Sequence, residues 1–407
     1  MSKQMIVAGL DLGTNAVKCV IGVRHEDGQI DIIGTGTHPA AGLKAGTVCD
    51  SEQAVASIRA AVEEAELMAG CEIKEIFVSV SGRHLESFNS HGMVRIRSGT
   101  VDTDDVRACI DMARAVKLPP DKTILHAVPQ SFIIDGQAGI TRPVGVEGVR
   151  LEVQAHLIIG DVPALKVLEQ CIKQAKLRVV DLILAPLAQA EALLSPQGRD
   201  LGVVLVDIGG DTTDIAVFDG GQIVHSTVLP IGGQHVTSDI KDCLNTPTVE
   251  AEHLKQAHGC AVADTIDPEQ TVQVPGVGGR KPRDIERSLL CQIIEARVEE
   301  ILRLVTEELH QLGYGDGLPG GVVLTGGTAN LDGIVQLTEQ VMGMPAAKAE
   351  PKGLHGLVDV VRNPRYATGT GLVLCGVNRR DIQWFSTRQP RARRGAWSRI
   401  FGRGRRV

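Results

Sequence analysis

Aromatic side chains are scarce in this sequence: six Phe, two Tyr and two Trp among 407 residues. A surface that stacks bases, or a cleft that stacks sugar rings, needs more of them, so no nucleic-acid partner is expected. Closely spaced cysteines are missing too. No two of the nine Cys lie closer than 17 residues, which leaves no CxxC or zinc-knuckle spacing. Most sit in apolar runs such as "VKCVIGV" and read as small core residues, in keeping with a reducing cytosol. No apolar run reaches the roughly 20 residues that a membrane span needs. The start, "MSKQMIVAGLDLG", runs straight into a strand and has no signal-peptide pattern. Acids, finally, are absent from residues 382–407, which hold eight Arg. The rest of the chain carries 34 basic and 49 acidic residues, a balance of −15. An acidic body with a basic tail points to an anionic partner for the tail alone.

Glycine is plentiful, at 46 residues, and the length exceeds one ordinary core, so about two to four subdomains are expected. The chain shows its own plan twice. "QMIVAGLDLGTNAVKCVIGVRHEDGQIDIIGTG" reads strand, turn, strand, turn, strand. "GVVLVDIGGDTTDIAVFDGGQIVHSTVLPIGG" reads the same, with Asp207 and Gly209 repeating Asp11 and Gly13 at an offset of 196. Duplication at this period predicts two similar α/β domains facing each other, with a ligand in the cleft between them. In "DSEQAVASIRAAVEEAELMAG" the spacing of Val55, Ile58, Val62 and Ala65 predicts a helix capped near Asp50/Ser51 and ending at Gly70. Two stretches interrupt the plan. Residues 84–163 read as strands around one capped helix, a small α+β module. Residues 239–286 read as a polar, loop-rich second insertion. "RSLLCQIIEARVEEILRLVTEELHQLG" predicts a long amphipathic helix.

Three Gly-rich turns carry the chemistry. In "DLGTNAVK" and "DIGGDTTD" the glycines let successive backbone N–H groups curl around an anion, and no helix is required. Gly13, Thr14, Asn15 and Lys18 would line the first turn. Gly209, Gly210, Asp211, Thr212 and Thr213 would form the second. Asp11 and Asp207 end facing strands. Two carboxylates there would repel a phosphate unless they hold Mg²⁺ through its waters, which suits a nucleoside triphosphate with its metal. The third turn, "LTGGTANLDG", offers Gly326, Gly327 and Thr328 for close backbone approach to a flat ring at a helix start. Each turn alone is no more than a hairpin; the three in this order are the signal. Asp211 is an odd member of a phosphate cradle. Two unit charges about 4 Å apart repel by about 4 kcal/mol at an effective dielectric of 20. It must point away, meet Mg²⁺ or weaken phosphate binding. His25, His38, His84 and His126 are isolated and read as ordinary surface or core histidines, and "TGTGL" (Thr368–Leu372) as small-residue helix packing.

At these residues the chain resembles the superfamily of actin, sugar kinases and heat-shock chaperone ATPases. "LILAPLAQAEALL" and "RYATGTGLVLCG" resemble its two connecting helices. Within it, "EIFVSVSGRHLESFNSHGMVRI", "LPPDKTILHAVPQSFIIDGQ", "VLPIGGQHVTSDI" and "EAEHLKQAHGCA" resemble the FtsA family of bacterial cell-division proteins over nearly the whole chain. The resemblance implies an actin-like (ribonuclease H-like) fold of duplicated domains. Subdomain 1A would be 1–83, 164–199 and 355–380, and the inserted 1C would be 84–163. Subdomain 2A would be 200–238 and 287–354, and 2B would be 239–286. It also implies ATP and Mg²⁺ as ligands and self-assembly into filaments. The location would be the cytoplasmic face of the plasma membrane at the division site. The C-terminal tail of FtsZ would bind near Arg283, Arg287 and Arg297, and later division proteins would bind through residues 84–163. A small-molecule kinase and a chaperone-type ATPase are the alternatives within the superfamily.

Two departures bear on catalysis. Relatives usually read "EPLA" where this chain reads "APLA", so Ala185 stands where a carboxylate would orient the attacking water, and a methyl group cannot. Gln189, one turn later, is the candidate substitute. Relatives also usually have a third Gly where Asp211 stands. ATP is expected to bind and to be hydrolysed slowly or not at all. The end of the chain, "STRQPRARRGAWSRIFGRGRRV", fits a linker (381–393) followed by an amphipathic membrane-targeting segment (394–407). Trp397, Ile400 and Phe401 share one helical face, flanked by Arg394, Arg399 and Arg403 for anionic lipid. Gly395, Gly402 and Gly404 weaken that helix, so one tail binds feebly and assembly supplies avidity.

Overall fold

The computed structural model describes residues 5–278 and 280–378, with a short backbone segment at Phe385–Ser386. Two sheets repeat one topology. In the first, Ile30–Pro39, Ala16–Arg24 and Met5–Leu12 form an antiparallel meander, and Glu75–Val80 and Arg178–Leu184 add in parallel beyond it. In the second, Gln222–Leu229, Thr213–Asp219 and Val203–Ile208 form the meander, and Val322–Thr325 and Ala346–Lys348 follow in parallel. The Asp-x-Gly turn closes the corresponding hairpin in each. In this arrangement both acidic turns face the cleft between the two halves.

Helices seal the sheets for reasons visible in their spacing. Ser51–Ala69 buries Ala54, Ile58, Ala61 and Ala65, one stripe at intervals of three and four. Asp50 accepts a hydrogen bond from the Gln53 N–H, and Gly70 ends the helix at φ 64°, the left-handed conformation that favours glycine. The helix comes close to the neighbouring strand at Gly34 and Gly36, where a Cβ would overlap its carbonyls. Ile58 is fully buried in that contact, a burial worth about 2–3 kcal/mol. Arg287–Gln311 likewise turns Ile294, Val298, Ile301 and Val305 into the second core. The helices Ala185–Leu193 and Ala367–Val377 are buried along nearly their whole length and pack on each other.

The inserted module has its own small core around Cys109, Ile110, Leu151 and Val153. Its sheet joins Leu85–Arg95, Arg150–Asp161 and Lys122–Ile134, covered by Thr103–Arg114. Asp102 caps that helix with a full capping box through Asp105. Two expectations need correction. Residues 239–286 are not mainly loop. The helix Gly233–Leu244 runs into them, Thr248–His258 follows, and Thr271–Val274 pairs with Arg283–Glu286. These elements are too short for their periodicity to stand out against polar surroundings. Phe385–Ser386, inside the expected linker, pairs with Ala127 and His126, because the edge of the inserted sheet offers unpaired backbone groups there.

Candidate functional site

The three turns border one cavity of about 620 Å³, within the range of small-molecule sites. Gly13, Thr14, Asn15 and Lys18 line it from the first half. Gly209, Gly210 and Thr212 line it from the second, and Gly326, Gly327 and Thr328 close one side. The two phosphate-type turns meet tip to tip. A Cβ on Gly210 would come 2.7 Å from Asn15 Oδ1, and the Gln234 side chain donates to the same oxygen at 2.7 Å. The second turn is braced from behind. The Gly233 and Gln234 N–H groups donate to the carbonyls of Gly209 and Gly210 at 2.9 and 2.8 Å, and Thr328 Oγ1 donates to the Gly209 carbonyl at 3.2 Å. Gly326, at φ 89°, packs directly on the Asp207 carboxylate, and any side chain there would overlap it.

Two residues expected in the cradle lie outside the cavity lining. Thr213 begins a strand and turns into the core, where its hydroxyl donates to the Ile231 carbonyl at 2.8 Å. Successive strand side chains alternate faces. Thr212 and Asp214 therefore share the cavity face and Thr213 takes the other. Asp211 points away from the cavity and accepts a hydrogen bond from the Ala45 N–H at 3.1 Å. The same alternation supplies a residue that reading the turn alone missed. Asp214, the strand partner of Asp207, is buried in the cavity wall, with Ser81 Oγ at 2.5 Å.

Asp11, Asp207 and Asp214 therefore crowd one end of the cavity. Lys18 pairs with Asp11 at 2.9 Å, and Ser79 also donates to it. Gln189 does not reach the position where a water-orienting group is expected. Its amide N–H donates to Asp207 and to Thr368 Oγ1, while its own buried Oε1 has no partner. Ala185 does line the cavity. Burial, then the neighbouring Asp207 charge, pushes the Asp214 carboxyl above its ordinary value. Burial raises Asp207 likewise, with Asp11 adding to the effect and Gln189 and Lys18 opposing it.

Three carboxylates with a single ammonium, that of Lys18, among them suit an oxygen-ligated divalent cation. Among the described residues no three His, Cys, Asp or Glu side chains converge to cage a metal. Mg²⁺ keeps several waters and needs only one or two carboxylates beside phosphate oxygens, so Asp11 and Asp207, with Asp214 close by, could hold it.

The raised carboxyls make a pH prediction. The folded state binds these protons more tightly than the unfolded chain. Their contribution to stability is therefore fully present at acid pH and is lost as pH rises above the ordinary carboxylate range near 4. Asp214→Asn removes one such group. In metal-free buffer its melting temperature should gain steadily on that of the wild type between pH 5 and pH 8. A constant difference across that range would show that Asp214 does not titrate there.

At the other end of the cavity Lys255 is buried and donates to the Gly233 carbonyl at 2.9 Å and to Thr237 Oγ1 at 2.8 Å, with Glu252 at 2.7 Å. The helix Thr248–His258 presents it together with Gln256. The lone-histidine expectation holds for His25, which pairs with Asp31 at 2.9 Å, but buried His84 leaves Nδ1 without a partner. Arg283 donates to the Leu244 carbonyl and Arg287 to the His258 carbonyl and Gln270. Arg297 is clamped by Asp239 at 2.6 and 3.0 Å and also pairs with Glu300. A partner's carboxylate would have to compete with these contacts. Arg394, Trp397, Arg399, Ile400, Phe401 and Arg403 lie outside the described residues, and among those described no helix is long and apolar enough to cross a membrane.

Comparison with known proteins places this geometry. Residues 204–371 match the family model for cell division protein FtsA, and residues 82–159 match the SHS2 domain inserted in FtsA. The chain is 45% identical to cell division protein FtsA of Pseudomonas aeruginosa over 93% of its own length and 91% of that protein. It is 38% identical to FtsA of Escherichia coli, over 91% and 90%, and 37% identical to FtsA of Bacillus subtilis, over 94% and 86%. Among solved structures it resembles the PilM–PilN type IV pilus biogenesis complex, with a TM-score of 0.66 and 17% identity over 91% of this chain and 98% of that one. It also resembles MreB5 of Spiroplasma citri bound to AMPPNP, with a TM-score of 0.54 and 16% identity over 93% and 98%. The fold is thus actin-like, two duplicated α/β halves with an inserted module, and the chain belongs to the FtsA family of cell-division proteins.

Proposed function

We propose that this protein binds ATP with Mg²⁺ in the interdomain cleft and assembles with its own copies into a filament on the cytoplasmic face of the plasma membrane. There it tethers FtsZ at the division site and recruits later division proteins through residues 84–163. The observation that carries this reading is the cavity where three Gly-rich turns and two opposed carboxylates meet. The amides of Gly13–Asn15 and Gly209–Gly210 and the hydroxyl of Thr212 would cradle the phosphates. Mg²⁺ held by Asp11 and Asp207 would neutralise phosphate charge. With a methyl group at Ala185 and Gln189 tied to Asp207, neither residue of that connecting helix is free to align a water. ATP therefore acts more as a conformational and assembly ligand than as a fuel, with hydrolysis slow at most. The FtsZ tail would meet the arginine group Arg283, Arg287 and Arg297. Membership of the FtsA family weighs against the kinase and chaperone alternatives.

The test is co-sedimentation with anionic vesicles in the presence of Mg-ATP. The full chain should pellet. A chain ending at residue 380, and the double variant Trp397→Glu/Phe401→Glu, should bind at least about tenfold less, because each removes the apolar face that enters the interface. If the full chain stays in the supernatant with them, membrane tethering is lost from the reading. The arginine group has its own check. Arg297→Glu should abolish binding of an FtsZ tail peptide in a titration, and unchanged affinity would remove Arg297 from that surface.

A further inference from the structure

Asp211 sits in the second phosphate-type turn yet stays out of the cavity, and its partner lies in the other half of the molecule. Oδ2 accepts a hydrogen bond at 3.1 Å from the N–H of Ala45. That residue tips the small hairpin formed by Leu43–Lys44 and Thr47–Val48. The tip is Ala45 at φ 46° followed by Gly46 at φ 78°, the pair of left-handed residues of a tight hairpin turn. Alanine is a poor choice for the first of them, so something must hold it there. On one side Gly46 packs so tightly on the Ser81 carbonyl that a side chain would overlap it. On the other is Asp211. Ser81 in turn meets Asp214 Oδ1 at 2.5 Å. The carboxylates on either side of Thr212–Thr213 thus each take a donor from the first half, both at the phosphate end of the cleft.

We propose that Asp211 is a clasp between the two halves of the cleft, a positioning residue that slows cleft opening and hence nucleotide exchange, rather than a phosphate contact. Opening the cleft separates the hairpin tip from the second turn and breaks this bond. The step in nucleotide exchange rests on the reading of the cavity as an ATP site; the clasp itself does not. The role also accounts for a carboxylate tolerated so close to phosphates, since its charge is directed along the Ala45 amide and away from the cavity.

The experiment compares the wild-type full chain with Asp211→Ala, which removes the acceptor, and Asp211→Asn, which keeps an acceptor oxygen without the charge. Two readouts are taken: hydrogen exchange of residues 40–50 in nucleotide-free protein, and release of a fluorescent ATP analogue chased with unlabelled ATP. Loss of one partly exposed hydrogen bond predicts roughly fivefold faster exchange and release in Asp211→Ala, with Asp211→Asn close to wild type. Equal exchange of the hairpin tip in all three proteins overturns the clasp. So does an Asp211→Asn that behaves like Asp211→Ala, because charge and not hydrogen bonding would then be what matters. If the wild type binds no ATP analogue, the nucleotide reading fails instead, and the exchange data alone still decide the clasp.

Discussion

Asp207→Ala should weaken Mg-ATP binding by about a hundredfold while leaving the affinity for metal-free ATP unchanged or improved. Asp207 lies near the end of a central strand, half-buried in the cavity wall, opposite Asp11 and against Gly326. The protein spends two devices on holding it there: a glycine that no other residue can replace, and the Gln189 amide, which is itself anchored on Thr368. A carboxylate partly withdrawn from water costs free energy unless something pairs with it, and no cation among the described side chains pairs with Asp207 directly. Lys18, the nearest on the opposing strand, is committed to Asp11. A divalent ion supplies the missing charge. If two water-mediated, charge-assisted hydrogen bonds hold that ion, each worth about 1.5 kcal/mol at the low end of its range, their loss corresponds to about a hundredfold in affinity at 1.4 kcal/mol per decade. Without metal the sign reverses, because the carboxylate only repels phosphate. Calorimetric titration with and without Mg²⁺ separates the two arms. Equal Mg-ATP affinity in the wild type and the variant would take Asp207 off the metal side of the site. Asp207→Asn, which still accepts from Gln189, should fall between them.

Much of this site could be read in the sequence because its turns are local. A Gly-rich hairpin tip declares itself over eight residues, and the duplication declared that two such tips face each other. The misses have a common physical cause: side-chain direction. "DTTD" looks like two equivalent threonines, yet strand alternation sends Thr212 to the cavity and Thr213 to the Ile231 carbonyl. The alternation was available in the sequence and would have placed Asp214 on the cavity face as well. Gln189 follows Ala185 by one turn, which makes it a candidate catalytic stand-in in the sequence, but it braces Asp207 instead. Nothing local to the helix could show that, since its partner lies on a strand of the other half. Asp211 posed a question answered by Ala45, 166 residues away. The helices within 239–286 were hidden for a different reason. Gly233–Leu244 buries Val236, Ile240 and Leu244, three apolar positions in twelve residues, too few to stand out before the partner surface is known. The resemblance puts Arg297 at a partner surface, and in the structure its guanidinium pairs with Asp239 and Glu300.

Gly371→Val should cost about 3 kcal/mol or more of stability, and Gly371→Ala should also destabilise. The second outcome is the telling one, because alanine at a helix interior ordinarily stabilises by about 1 kcal/mol over glycine. Gly371 lies in the middle of Ala367–Val377, every residue of which is buried. It faces the helix Ala185–Leu193 at Ala188, where a Cβ would overlap the backbone carbonyl. Backbone cannot rotate out of the way as a flexible side chain would, so the two helices must separate. Dense packing transmits that displacement. Leu372 and Val373 lie against Gly9 and Gly22 of the first sheet, and Thr368 and Gln189 lie on the two crossing helices themselves. The same substitution should therefore reach the nucleotide site. Thr368 and Gln189 would part, Asp207 would lose its brace, and Mg-ATP affinity should fall together with the melting temperature. Thermal unfolding and ATP titration on the three proteins give both numbers. A higher melting temperature for Gly371→Ala would mean that the crossing has room to spare. A lower one with unchanged affinity would confine the damage to the two helices and leave the nucleotide site out of it.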